Sequence, residues 1–293
     1  MREAPGLRVV PRDAREAPTL AKLAELAGEL LRHIDREDFL QRLGGCLAQL
    51  VDFDNFIVFR FQERCAAELV ATTLDFARLR GDMAPYIDGL HLLDPFYIAA
   101  TAGRRRGFLR MAEVAPESFE ESEYFRIFYK DVHVIDEARF VVELDGSELI
   151  HVFLERENPN VLYSAAELQT LKALEPLVEG LLEKHWEWRG MSASVHGAAR
   201  TPLAFGVRSV IGNLKRKALT AREIDIVELT IKGHSAKSIA HELSISEGTV
   251  INHKRNIYAK LDISSQSQLF HMFLQALYGV GPEPATPAGV APR

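Results

Sequence analysis

The stretch LTAREIDIVELTIKGHSAKSIAHELSISEGTVINHKRNIYAKLDISSQSQL (residues 219–269) reads as four short helices, each with its own start signal. Thr220 and Glu223 form the reciprocal pattern of a capping box, T-A-R-E. Ile224, Val227 and Ile231 then mark the buried face of a first helix, and Gly233 ends it as a C-terminal cap would. Ser235 starts a second helix with Ile239, Ala240 and Leu243 turned inward. Ser246 caps a third, which runs to about Leu261. A fourth begins near Ser264 or Ser265 and ends before Gly279. The second and third helices, joined by the turn Leu243-Ser244-Ile245-Ser246, make a helix-turn-helix.

At 100° per residue, Val250, Ile257 and Leu261 of the third helix fall within about 40° of each other and face a core. Gly248, Ile251, Asn252, Arg255 and Ala259 lie roughly opposite. A face with a small residue, an amide and a guanidinium suits the major groove, which is about 12 Å wide and admits one helix. Arg pairs bidentately with guanine and Asn with adenine, so Arg255 and Asn252 are the candidate base readers, with Ile251 packing on a thymine methyl. Lys237, Ser246, Thr249, Lys254 and Lys260 are candidate phosphate contacts. His253 lies between the two faces and serves either a phosphate or a helix contact.

This stretch closely resembles the LuxR-type (GerE-type) DNA-binding domain. The resemblance is carried, without a gap, by Leu219, Thr220, Arg222, Glu223, Gly233, Ser235, Lys237, Ile239, Ala240, Leu243, Ile245, Ser246, Thr249, Val250, His253, Asn256, Ile257, Lys260, Leu261 and Ser265. Ser238 stands where the family's usual K-E-I-A stretch has Glu. The resemblance implies a four-helix unit, binding to double-stranded DNA as a homodimer, and transcription control with RNA polymerase as a partner.

Around this core the charge is uneven. The whole chain of 293 residues has a net charge of −6, but residues 1–214 carry −9 and residues 215–278 carry +3. A small basic unit beside a larger acidic one fits a DNA-binding module with a separate control domain. The length fits two domains at roughly 150 residues each. A hydrophobic content of 47% is that of a soluble protein with a real core. No apolar run reaches membrane-spanning length, and the charged N-terminus lacks a signal-peptide core. Cys46 and Cys65 are too few for a disulfide framework or a pair of zinc clamps, so the chain is read as cytoplasmic, with no metal, cofactor or membrane partner.

Residues 1–18 read as a flexible arm, 19–189 as a sensor-like domain, 190–214 as a linker, 215–278 as the DNA-binding domain and 279–293 as a disordered tail. The sensor region opens with helices over 19–34 and 37–50. Strands follow at 54–62 and 67–74, then an aromatic-rich helical and loop region over 78–131. Strands at 138–146 and 148–156 are joined through Asp145-Gly146, and a long helix covers 164–189. The fold class is thus α+β: an N-terminal α/β sandwich-like sensor domain with an antiparallel sheet, and an all-α C-terminal domain.

Family members carry different input domains. No acidic pair follows the first strand, against a phospho-acceptor receiver, and no G-x-x-x-x-G-K-[ST] loop is present. What remains is a sensor similar in layout to GAF/PAS-like or autoinducer-binding domains. The autoinducer pattern is half matched. Tyr86 precedes Asp94-Pro95 at nearly the family distance, but Asp82 and Leu109 stand near where its tryptophans fall. Nine of the 25 aromatic residues lie between 86 and 129. Tyr86, Phe96, Tyr97, Phe108, Tyr124 and Phe128, with His91 and Asp94 as polar groups, line a ligand pocket or else fill the core between helices and sheet. Arg104-Arg105-Arg106 is an anion site or, more plainly, a solvated run. Leu171, Leu174, Val178, Leu181, His185 and Trp188 form a coiled-coil-like stripe, for self-association or for packing on the sheet, with Pro176 expected to bend it. No enzyme signature occurs. The expected function is a DNA-binding regulator controlled by a small molecule, or one whose N-terminal domain is a protein-interaction or dimerisation module.

Overall fold

The computed structural model describes residues 18–62, 67–102, 105–144, 148–158, 161–192, 207–213 and 219–277. The arm, most of the linker, the tail, Cys65, Arg104 and the Asp145-Gly146 turn lie outside the described residues. The chain separates into two compact units, Met1–Ala204 and Phe205–Arg293.

The N-terminal unit is built on one antiparallel sheet. Its strands are β1 (Asn55–Gln62), β2 (Glu68–Thr72), β3 (Gly107–Arg110), β4 (Asp136–Leu144) and β5 (Glu148–Arg156), in the order β2-β1-β5-β4-β3. Register pairs Ile57 with Phe153, Phe59 with His151, Arg139 with Phe153 and Val141 with His151. Because side chains alternate, these residues share one face. Phe56, Val58, Phe140, Val142, Ile150 and Val152 point to the other.

That second face is covered by α1 (Leu20–Leu31), α2 (Phe39–Ala48) and a long α4 (Ala165–Ser192), with α3 (Pro95–Thr101) lying between β2 and β3 in the chain. Thr19 caps α1 by accepting from the Lys22 amide at 3.2 Å. Gly44 lets α2 lie close on β1, since a Cβ there would meet the Phe56 ring at 2.9 Å. The stripe on α4 is used inside its own unit: Leu171, Leu174, Val178 and Leu181 are buried in this core. His185 stacks on Phe39 at 4.5 Å, and only Trp188 of the stripe is well exposed, at 51%. The helix runs through Pro176 without a break. Self-association along this seam is therefore not where its apolar side chains go.

One difference from the sequence reading lies in this unit. Strand β3 falls in a region read as helix and loop. It is four residues long at the sheet edge, too short to show alternation, and the Phe108 amide is satisfied by Glu175 of α4 at 2.9 Å. The other described residues of 76–130 include a series of short helical turns, two of them π-helical, at Leu79–Met83 and Arg126–Lys130.

The C-terminal unit contains α5 (Val207–Asn213), α6 (Ala221–Ile231), α7 (Ala236–Glu242), α8 (Glu247–Leu261) and α9 (Gln266–Leu277). Helix α5 occupies part of the stretch read as linker. Its Val207, Val210 and Ile211 are buried, and the helix packs on α6 and α9. The Gly- and Ser-rich composition that precedes it masked this short apolar turn. The four remaining helices form where their caps place them. Thr220 and Glu223 make both halves of the capping box, at 3.3 and 2.7 Å. Gly233 adopts φ +89° beyond α6, a region closed to most side chains. Ser235 accepts from the Ser238 amide at 3.0 Å and Ser246 from the Thr249 amide at 3.1 Å.

Candidate nucleic-acid interface and sensor site

Helix α8 is anchored by Val250, Ile257 and Leu261, all buried, against α6 and α7. Its other side carries Ile251, 54% exposed, with Asn252 and Arg255 exposed beside it. Arg255 Nη2 donates to Asn252 Oδ1 at 3.1 Å. This contact between a charged donor and a neutral acceptor orients both side chains one turn apart and leaves the remaining guanidinium donors and the amide NH2 on the surface. Lys237 is exposed on α7. Ser246 and Thr249 share a hydroxyl–hydroxyl bond of 2.7 Å at the helix N-terminus, and His253 is half-buried. Lys254 is half-buried too, and burial holds its ammonium pKa below the usual lysine value.

Lys260, a candidate phosphate contact, has a partner within the chain. Its Nζ donates to both carboxylate oxygens of Glu223, at 2.8 and 2.7 Å. Burial pushes the Glu223 carboxyl pKa up. Hydrogen bonds from Lys260 and Thr220 overcome that and leave it below the usual glutamate value.

In the N-terminal unit, the first sheet face meets the aromatic-rich segment. Asp94 caps α3, with Oδ1 accepting from the Phe96 amide at 2.8 Å, and is fully buried. Its Oδ2 accepts from Tyr86 Oη at 2.7 Å and from Arg139 Nη1 at 2.5 Å. Arg139 also donates from Nε to Glu137, whose second oxygen accepts from Tyr129 Oη at 2.5 Å. The guanidinium lies over Phe153 at 3.5 Å and over Phe96 at 4.1 Å. His91 Nδ1 meets the Tyr86 carbonyl at 3.0 Å. Tyr97 packs against Phe61 with ring centroids 5.0 Å apart, and the Tyr124 and Phe128 rings are 4.8 Å apart.

Seven of the eight candidate ligand residues are thus brought together on this face. Phe108 is not. Its register neighbour is Phe140, their rings are 5.3 Å apart, and both point to the helix-covered face. The odd–even alternation of a strand decided this, and β3 had not been read as a strand.

The electrostatics of the cluster come mostly from residues the sequence reading passed over. Glu137 and Arg139 occupy inward positions of β4, and His151 and Glu155 those of β5. Charged residues at alternate positions of otherwise apolar strands were the available signal. Burial pushes the Glu137 carboxyl up despite Arg139 beside it. Burial and then Glu137 push Glu155 up to about 8. Burial, and then the positive charge of Arg139, hold His151 well below the usual histidine value, so its ring is neutral. Neither of its nitrogens has a hydrogen-bond partner among the described residues.

Residues 217–273 match the model of the family "Bacterial regulatory proteins, luxR family". The C-terminal unit is a LuxR-family DNA-binding domain. The chain is 29% identical over 186 residues to a putative HTH-type transcriptional regulator in the exeN 3' region of Aeromonas salmonicida, covering 63% of this chain and 94% of that protein. It is similar to the LBD domain of VqsR from Pseudomonas aeruginosa, with 28% identity, TM-score 0.49, and 57% of this chain and 97% of that one covered. It is also similar to SdiA in complex with octanoyl-rac-glycerol, with 15% identity, TM-score 0.43, and 89% of this chain and 97% of that one covered. The protein is a LuxR-type DNA-binding transcriptional regulator, a family of regulators and not of enzymes. Among the described residues, no helix is long and apolar enough to cross a membrane.

Proposed function

We propose that this LuxR-type regulator works in the cytoplasm as a homodimer that reads specific double-stranded DNA with helix 247–261 and recruits or blocks RNA polymerase. The observation that carries the reading is the exposed Asn252–Arg255 pair on a helix whose opposite side is locked into the core. Arg255 and Asn252 read bases, and Ile251 packs on a thymine methyl. Lys237, Ser246, Thr249, His253 and Lys254 face the backbone phosphates. One short helix makes few base contacts, so operator specificity needs two copies.

The N-terminal unit is proposed to sense a small molecule at the aromatic sheet face, through Tyr86, His91, Asp94, Phe96, Tyr97, Tyr124 and Phe128. The unpartnered ring of His151 supports a ligand there, because a buried polar group without a partner costs about 1–3 kcal/mol. The effector shifts the regulator only as far as its affinity differs between two arrangements. A second reading, a protein-interaction or dimerisation module without a small ligand, is favoured by Asp94. Both of its oxygens are already satisfied from within the chain.

Selection of duplexes from a random-sequence pool by the full chain tests the DNA reading, and a pool that returns no consensus defeats it. A thermal-shift screen with neutral amphipathic compounds tests the sensor. A ligand at 100 times its Kd adds about 2.7 kcal/mol. If no compound shifts the N-terminal unit while a partner protein does, the second reading holds.

A further inference from the structure

The first turn of α6 holds the turn that leads into the reading helix and the last turn of that helix, through two consecutive residues that carry opposite charges. Arg222 Nη2 donates to the Leu243 carbonyl at 2.6 Å. Leu243 closes α7 and opens the turn that leads to the Ser246 cap of α8. Glu223 reaches the far end, with both oxygens on Lys260 Nζ at 2.8 and 2.7 Å. One anchor thus lies three residues before the Ser246 cap of α8 and the other at the penultimate of its 15 residues.

Glu223 is held from two sides. It is 3% exposed, and its Oε2 also accepts from the Thr220 amide at 2.7 Å as part of the capping box. One carboxylate thus ties the start of α6 to the last turn of α8. Apolar contacts at Val250, Ile257 and Leu261 define which side of α8 faces inward. Such contacts have no direction, and they tolerate a small roll or slide of the helix. Charged hydrogen bonds are directional and short, so they remove that freedom. Base-edge hydrogen bonds need donor and acceptor within about 2.7–3.2 Å, so a shift of one ångström breaks them.

We infer that Arg222, Glu223 and Lys260 are positioning residues for sequence readout, with Lys260 contributing to specificity through Glu223 and not through a DNA phosphate. The inference rests on α8 being the reading helix. It predicts a separation that neither a phosphate contact nor a purely structural residue produces. Loss of Lys260 lowers the preference for the right sequence and leaves non-specific binding alone.

The experiment uses the full chain and a duplex it selects from a random-sequence pool, with a shuffled duplex as reference. Lys260→Met lowers the ratio of selected to shuffled affinity by about tenfold. The affinity for the shuffled duplex and the salt slope of binding stay unchanged, and Lys260→Arg restores most of the ratio. Glu223→Gln, which retains an acceptor for the Thr220 amide, lowers the ratio in the same way and carries the comparison should Lys260→Met fail to fold. The inference is overturned if both affinities fall together with a salt slope shallower by about one unit, the mark of a lost phosphate contact. It is also overturned if both fall equally at constant slope, the mark of a smaller folded fraction. A wild-type chain that selects no sequence removes the DNA reading and this inference with it, whereas a selected consensus with an unchanged ratio in both variants removes the inference alone.

Discussion

Arg255 and Arg139 each hydrogen bond to a side chain close by in sequence, yet they do opposite things. Arg255 is exposed, and its partner Asn252 is neutral. Arg139 is buried between two carboxylates, Asp94 and Glu137, and sandwiched by two rings. In water the Arg255 contact is weak, and a DNA base can replace or extend it. In the sheet core the Arg139 contacts are strong and their loss leaves bare charge, so the group is committed to the fold. The same guanidinium is thus a structural centre in one unit and, in the proposed reading, a recognition group in the other. Burial, more than residue type, sets which.

The largest effect expected from that contrast is on Arg139. Arg139→Met strands Asp94 and Glu137 without a counter-ion and costs about 3–5 kcal/mol. Both tryptophans, Trp186 and Trp188, lie on α4 in the N-terminal unit, so urea unfolding followed by tryptophan fluorescence reads that unit. Adding Asp94→Asn and Glu137→Gln to the same chain restores much of the loss. An unaltered midpoint in Arg139→Met would show that the pair is not a structural centre.

Arg255→Ala has no such effect on stability and costs about 1–3 kcal/mol of specific affinity, with relaxed preference at one base pair. Equal weakening on every duplex would reassign Arg255 to the backbone.

The Glu155 carboxyl sharpens the comparison through pH. Its folded-state value, about 8, lies above its unfolded value of 4.5. The stability it contributes is therefore full below about pH 4.5 and is lost as pH rises through about 8. The slope is at most about 1.4 kcal/mol per pH unit. Unfolding midpoints of the N-terminal unit between pH 5 and 8 should fall in the wild type and stay flatter in Glu155→Gln. Parallel curves would mean that Glu155 does not titrate there.

The smallest effect is expected at Lys237, exposed on α7. Lys237→Ala lowers affinity alike on all duplexes and makes the salt slope shallower by about one unit. An unchanged slope removes it from the phosphate contacts.

The two units also differ in how much of them could be read in advance. In the C-terminal unit the helix starts are set by local chemistry. Thr220, Ser235 and Ser246 each accept from an amide three residues on, and these contacts form where the sequence places them. The exposed side of α8 followed from the 3.6-residue period, since its buried side was apolar. The Lys260–Glu223 ion pair was not legible because its members are 37 positions apart, a distance that helical spacing does not reach. In the N-terminal unit the aromatic residues were visible, and Tyr86 and Asp94 do meet. The sheet order, however, puts β1 beside β5, and only that pairing brings Phe59 and Phe61 to His151 and Phe153. Phe108 fell on the other side because its stretch was read as helix and loop, where the alternation of a strand was not applied.

By itself the amino-acid sequence determined the four helices α6–α9, their caps and the polar side of α8, because those depend on neighbours within four residues. The tertiary structure alone decided that Lys260 belongs to Glu223 and that the α4 stripe lies on its own sheet. It alone decided that Arg139, Glu137, His151 and Glu155 share one buried face. These are matters of which distant surfaces exclude water from each other, and no local pattern carries that information.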